Sequence, residues 1–338
     1  MRNHELSREI FRKVAVQAEK APLVECKPLR VNKYVHNGKS VIALIRTNNR
    51  VEGIEKALEV IGGIKPIIEG LEGYILIKPN CNSHDPFPAS THPETLQKII
   101  DELLKSGISK DQIIIGDMSG PVWLPTRETM KLNGILEVAE KYEIKVSFFE
   151  EEDWVKVKPE KASTWPDGFR IAKKVYNASR IISLPCLKTH QFGGVFTLSL
   201  KNSVGVINPA DRSYLHNSPK MRELIAEINL AYTADLIVLD GMKCFISGGP
   251  ARGEEAEPGV IIAGGDRVAI DAVGVAILKY FNAKGIANRK VHEHEQLKRA
   301  YEIGLGKMKI SEIELRAVNL TDDEKFNQLT EFIREELK

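Results

Sequence analysis

The chain has 338 residues, 43% hydrophobic and 28% charged, enough for a sizeable core in one large or two moderate domains. A formal net charge of +2 argues against a nucleic-acid or anionic-membrane binder, and no apolar run approaches the length of a membrane span. Four scattered cysteines, Cys26, Cys81, Cys186 and Cys244, lack short metal-ligand spacing, which argues against an iron–sulfur cluster in this chain.

Residues 4–20 read as an amphipathic helix with Leu6, Ile10, Val14 and Ala18 on one face. This start lacks the unbroken apolar core of a signal peptide, so a soluble, cytoplasmic protein is expected. Glu, Lys and Ile are plentiful and Gln is scarce, a bias seen in thermophile proteins. Residues 29–36 and 40–46 read as strands around the hairpin turn Asn37-Gly38. A helix follows over 51–61, stopped by Gly62-Gly63. A short strand over 73–77 ends in Lys78-Pro79-Asn80 and a loop rich in Pro and Asn. Thr91-His92-Pro93-Glu94 has the pattern of a capping box with the Thr91 hydroxyl at the cap. The helix it opens carries Leu96, Ile99, Ile100, Leu103 and Leu104 on one stripe.

The next strand, 112–115, runs into Gly116-Asp117-Met118-Ser119-Gly120. A helix is expected over 126–141 and a strand over 144–149. The acidic run 150–153 reads as a solvated bend. Residues 154–170 are rich in turn formers, and an insertion or boundary is expected within 150–175.

Residues 183–202, SLPCLKTHQFGGVFTLSLKN, carry dense polar equipment beside apolar runs. A strand over 175–184 leads to Lys188, Thr189 and His190, then Gly193-Gly194. A second strand over 195–200 ends on Lys201-Asn202. Beyond it come a helix over 219–231, a strand over 235–239 ending in Asp240-Gly241, and a loop containing Gly248-Gly249-Pro250. A strand over 260–263 and a nearly all-apolar helix over 267–281 follow. The tail from 288 reads as amphipathic helices with a strand near 313–317.

Apolar strands alternating with helices predict an α/β fold with a mostly parallel sheet and helices on both faces. An amphipathic N-terminal helix and a helical C-terminal extension flank it. The expected units are 1–38, a core over 39–287, and the extension 288–338.

Lys78, Asn80, Asp117, Lys188, His190 and Asp240 all follow apolar strands. In an open parallel sheet the strands' carboxyl ends line one edge, where these groups can converge. Lys78, Asn80, Ser119, Asn202, Gly249 and Pro250 are the expected ligand-binding residues. Lys188, Lys201, His190 and Asp271 are the candidates for catalysis, with His190 as proton carrier. Asp117 and Asp240 are the expected ligands of a divalent metal. Asp271 lies in a helix apolar on every side, so its carboxyl should be buried and partnered by Lys201, Asn202 or Lys188. His84, His292 and His294 read as surface residues. No P-loop, dinucleotide-binding glycine motif or nucleophile elbow is present.

The motifs ILIKPN at 75–80, THPE at 91–94, GDMSG at 116–120, PCLKTH at 185–190 and TLSLKNSVG at 197–205 resemble the family catalogued as domain of unknown function 362. IVLDGM at 237–242, GGPARG at 248–253 and GDRVAIDAV at 265–273 extend the resemblance. The family has no general assigned activity. Many relatives carry a ferredoxin-like iron–sulfur module, which this chain lacks, having no cysteine after Cys244. The resemblance therefore leaves a separate ferredoxin as a candidate partner. The leading expectation is an enzyme binding a small anionic metabolite, a carboxylate or phosphate. The alternatives are an electron-transfer or iron–sulfur accessory protein, or a binding module without chemistry.

Overall fold

The computed structural model describes residues 4–338, so the first three residues of the N-terminal segment lie outside the described residues. Its strands are β1 (Val35–His36), β2 (Lys39–Arg46), β3 (Ile75–Pro79), β4 (Ile113–Asp117), β5 (Lys145–Phe148), β6 (Trp154–Val157) and β7 (Phe169–Ala172). They continue with β8 (Arg180–Leu184), β9 (Cys186–His190), β10 (Val195–Thr197), β11 (Leu236–Gly248), β12 (Gly253–Ala256), β13 (Val260–Gly264) and β14 (Ile313–Asn319). The main sheet runs β1-β2-β13-β11-β8-β3-β4-β5, while β6 and β7 pair separately. The half from β11 to β5 is parallel. β13 runs antiparallel to both β11 and β2. The fold is thus α/β with a large, mostly parallel sheet.

Strand alternation distributes the core. Ile75 and Ile77 face one side of the sheet and Leu76 the other. On the first side they pack with Ile54, Leu58, Leu96, Ile99 and Val138, from the helices Arg50–Ile61, Pro93–Lys105 and Ile135–Tyr142. On the other side two clusters share the surface. One surrounds the helix Arg267–Tyr280, buried from Arg267 to Leu278. The second gathers Phe149, Trp165, Phe169 and Leu224 with Val14 and Ala18 of the N-terminal helix His4–Ala18. That helix buries Ser7, Val14 and Ala18, and Leu6 is exposed, so the buried stripe is rotated from the expected one. In the extension, β14 lies parallel along β2 from Ile313 to Asn319, between the helices Glu295–Glu302 and Lys325–Glu336.

The Asn37-Gly38 hairpin forms as expected, with φ of 49° and 76°. Several other elements differ. The helix expected over 126–141 breaks into Thr126–Leu132 and Ile135–Tyr142, because Gly134 takes φ 81°. The cap of Pro93–Lys105 is His92, whose Nδ1 accepts from Glu94 N–H. Thr91 Oγ1 instead ties two strand ends together, accepting from Asn80 N–H and donating to Leu184 O. Glu150, expected in a solvated bend, is buried, accepts from Thr126 N–H and Oγ1, and is pushed up by burial. His294, expected at the surface, is buried against the edge of Phe196. His84 is half-buried, its ring 4.4 Å from Trp123.

The strand expected over 195–200 ends at Thr197 and turns into the short helix Ser199–Asn202. This changes the role of Asp271. It is fully buried, as its apolar helix predicts. Its partners are not a lysine or Asn202 but the N–H groups of Ser199 and Leu200, at 2.7 and 3.0 Å. The first N–H groups of a helix have no partner inside it, and this carboxyl supplies one.

Asp271→Ala leaves two buried donors unpaired and should destabilise the fold by about 2–4 kcal/mol in urea unfolding. Burial raises the Asp271 carboxyl from 3.8 to about 8, so its contribution is complete below pH 3.8 and is lost as pH rises toward 8. Stability of Asp271→Asn relative to wild type should therefore improve as pH rises through that window. A flat difference would mean that the carboxyl does not titrate there.

Candidate active site

Parallel strands end together at one edge, and the neighbours β8, β3 and β4 bring their carboxyl ends to one place. Lys78 on β3 and Asp117 on β4 form an ion pair of 2.7 Å, each side chain 2% exposed. Asp117 also accepts the N–H groups of Cys81 and Met118, so both strand ends are tied to one carboxylate. Lys78 Nζ donates in addition to Pro79 O and Asn202 Oδ1. Gly205 packs directly on the pair. A Cβ there would lie 2.3 Å from Asp117 Oδ1 and 2.7 Å from Lys78 Nζ.

β9 and β10 form a hairpin over this edge. Lys188 and His190 are two residues apart and share a face, with Thr197 opposite Lys188. Lys188 Nζ donates to Ala89 O and, at 3.2 Å, to Pro250 O. The helix Ser199–Asn202 then lowers Lys201 and Asn202 into the same space. Asn202 Nδ2 donates to Ser183 Oγ at 3.0 Å. Lys201 Nζ has no hydrogen-bond or ion-pair partner among the described residues. Gly194 lets it approach His190: a Cβ there would meet Lys201 Cε at 2.5 Å and His190 Nδ1 at 3.1 Å.

Arg212 comes from the helix Pro209–Asn217. It is buried, has no carboxylate partner among the described residues, and donates to the carbonyls of Ile207, Ser119, Met118 and Gly205. His216, from the same helix, stands at the exposed mouth.

These groups enclose a cavity of about 60 Å³, room for a few water-sized atoms. It opens into a wider vestibule of about 550 Å³ walled by Trp123, Phe192 and Arg252. Lys78, Lys188, Lys201 and Arg212 line or flank the chamber with one carboxylate, Asp117. Three further buried atoms of its wall, Asn80 Oδ1, His190 Nδ1 and Thr197 Oγ1, have no hydrogen-bond partner among the described residues.

The electrostatics follow from burial and cation excess. Lys188 is pulled down to about 8 by burial. Lys201 is pulled down to about 7, by burial first and then by the charges of Lys188 and Arg212. Burial, then Lys201 and Lys188, holds His190 well below the usual histidine range, so its ring is neutral at neutral pH. Arg212 is lowered to about 10 by burial. His216 is lowered to about 4 by shielding of its ring, then by Lys201 and Arg212.

Of the residues expected from sequence, Lys78, Asn80, Asp117 and Lys188 line the chamber, as do His190, Lys201, Asn202 and Pro250. Four others stand apart. Asp240 is bound to Arg50 Nε and Thr95 Oγ1, each at 2.7 Å, and faces away from the cavity. The proposed metal pair Asp117 and Asp240 is therefore not assembled. Among the described residues no group of three His, Cys, Asp or Glu side chains is placed to hold a metal. Asp271 acts one layer back, through the helix it caps. Ser119 spends its hydroxyl on Cys81 O and braces the wall. Gly249 lines the vestibule, and its φ of 68° brings Pro250 O onto Lys188.

Arg212, His216, Thr197, Asn82 and Gly205 line the chamber without having been singled out. Asn208-Pro209 does carry a helix-start signal, Asn at the cap and Pro at the first position. Nothing in the local pattern says that the Arg on that helix points inward.

Two variants test this packing. Gly205→Ala drives a methyl into the Lys78–Asp117 pair and should cost about 3 kcal/mol of stability in urea unfolding. Lys201→Met removes a buried cation that has no partner and should stabilise the protein by about 1–3 kcal/mol near neutral pH. Because the Lys201 pKa falls from 10.5 to about 7 on folding, its penalty is complete below pH 7 and relieved as pH rises to 10.5. The advantage of Lys201→Met should shrink across that window. Equal melting of the two proteins at every pH would show Lys201 to be solvated.

Among solved structures, the chain is similar to the lactate racemase apoprotein from Thermoanaerobacterium thermosaccharolyticum. The identity is 12% and the TM-score 0.36, over 89% of this chain and 87% of that one, and nothing further rests on this likeness. A search of curated proteins returns no match. The family described as Domain of unknown function (DUF362) matches residues 75–276, more than half of the chain. The span takes in every strand end that builds the chamber, and this chain belongs to that family.

Proposed function

We propose that this chain is an enzyme acting on a small carboxylate- or phosphate-bearing metabolite held in the cationic chamber. One observation carries the reading: four buried cations face a single carboxylate, around a space whose wall keeps polar atoms unpaired. Buried polar groups are almost always paired in the native state, so unpaired ones grouped around a cavity point to a ligand. Buried cation excess costs stability and is relieved by an anion.

In this reading the Lys188 ammonium group holds the anion, Lys201 adds to it while protonated, and Asn80 and Thr197 orient it. Lys78 is spoken for by Asp117 and sets the floor. His190, neutral and with Nδ1 unengaged, takes and returns a proton. The vestibule admits the remainder of a larger substrate and its aromatic walls shield the chamber from water. The three buried cysteines are free thiols, which suits a reducing cytoplasm. No described helix is long and apolar enough to cross a membrane.

Calorimetry with sulfate and with pyruvate, whose charges are constant near neutrality, tests this. Binding should be strongest below about pH 7 and weaken roughly tenfold per unit as Lys201, then Lys188, loses its proton. Lys188→Met should weaken it more than tenfold. Absence of binding, or binding indifferent to pH and to Lys188, would remove the anion site.

A further inference from the structure

The three lysines of the chamber are not equivalent. Lys78 Nζ is fixed by Asp117, Pro79 O and Asn202 Oδ1. Lys188 Nζ is fixed by two carbonyls, Ala89 O and Pro250 O. Both sites are built to receive the hydrogens of an ammonium group. Lys201 Nζ has no acceptor among the described residues, although its residue is only 7% exposed. Resting on the anion-site reading above, we propose that Lys201 is a nucleophilic amine that forms an imine with its substrate. The substrate class is then a small aldehyde or ketone carrying a carboxylate or phosphate.

The geometry favours this in three ways. A buried ammonium without acceptors costs far more than a neutral amine with a free lone pair. The groups that face Lys201 are Lys188, Arg212, His190 and His216, none of them an anion; burial first, then the charges of Lys188 and Arg212, holds it down near neutrality. This is the arrangement by which a lysine becomes a nucleophile, desolvation plus a cationic neighbour. Second, Gly194 places His190 Nδ1 and the Lys201 side chain against the same spot, with Nδ1 unengaged. Third, the chamber of about 60 Å³ accepts only a few heavy atoms around the reacting carbon.

The step balances without an outside reagent. The Lys201 lone pair attacks the carbonyl carbon while the C=O π pair moves to oxygen. His190 removes a proton from the new ammonium and delivers one to that oxygen, giving a carbinolamine. His190 then relays one proton from solvent to the hydroxyl, the C–O bond breaks, water leaves, and the nitrogen lone pair closes the C=N bond as a protonated imine. Nothing is oxidised or reduced. Lys188 holds the substrate anion throughout, and the protonated imine is an electron sink for bond breaking at the adjacent carbon.

The test is reductive trapping. The full chain is incubated with glyoxylate, pyruvate or dihydroxyacetone phosphate and cyanoborohydride, then mapped by peptide mass. One adduct is expected on the Lys201 peptide, heavier by the probe less one oxygen atom, with at least one of the three probes. Its rate should rise through neutral pH, below the alkaline range of the surface lysines. Lys201→Arg keeps the charge and should still bind pyruvate in calorimetry yet give no adduct there. Lys201→Met, the variant expected to fold more stably, should give none either. Labelling confined to surface lysines, or an adduct at Lys201 only at alkaline pH, overturns the proposal. If native protein binds pyruvate and sulfate but no probe traps on Lys201, the nucleophile is wrong and the anion site stands. If neither anion binds, both fall.

Discussion

Asp117 is the constraint on which the site depends. Its carboxylate joins the ends of two parallel strands, through Lys78 on β3 and through the N–H groups of Cys81 and Met118. Among the described residues it is also the only acid in the chamber wall. Four cations are packed at one end of a sheet because one of them is neutralised there and Arg212 is enclosed by four carbonyl dipoles. Without Asp117 the Lys78 ammonium would be buried beside three further cations with no carboxylate to pair it.

The remaining cations are not neutralised, and that is the chemical content of the site. Lys188 keeps its charge on the strength of two carbonyls. Lys201 has no hydrogen-bond or ion-pair partner among the described residues and, above neutrality, no firm hold on its proton. A fold selected for stability alone would fill this position with an apolar side chain. The conflict is tolerated because the surrounding core is large and regular: β3, β4, β8, β11 and β13 are flanked on both faces by buried aliphatic side chains. Strain of this kind is concentrated where a ligand is expected to relieve it.

The buried polar residues that fix the loops around the site explain how its shape is held. Asp271 never reaches the chamber, yet it pins the helix Ser199–Asn202 that carries Lys201 and Asn202. Thr91 locks the turn after β3 to the end of β8, and Arg212 locks the turn after β4 to the segment containing Gly205. Glu150 does the same for the start of the helix Thr126–Leu132. Each is buried, polar and satisfied by backbone, so each fixes a loop in one conformation rather than contributing a group to a ligand.

Local sequence determined the elements. Continuous apolar runs marked β2, β3, β4, β8 and β13, and the apolar helix with one acid marked a buried carboxyl at Asp271. Lysines, a histidine and asparagines after strand ends marked the edge where the chamber lies, because parallel strands share one carboxyl edge whatever their order. Tertiary structure decided the rest. Only the packed sheet turned β10 into a helix at Ser199, since the carboxyl that accepts its first N–H groups comes from 72 residues away. Only the sheet order separated Asp240 from Asp117: β8 and β3 stand between β11 and β4, and Arg50 from another helix claims Asp240. Arg212 was invisible for the same reason, since its partners are backbone carbonyls, which carry no side-chain signature in a sequence. Pattern reveals which face of an element is apolar, but the partner of a buried charge is fixed by elements distant in the chain, and those meet only when the whole core closes.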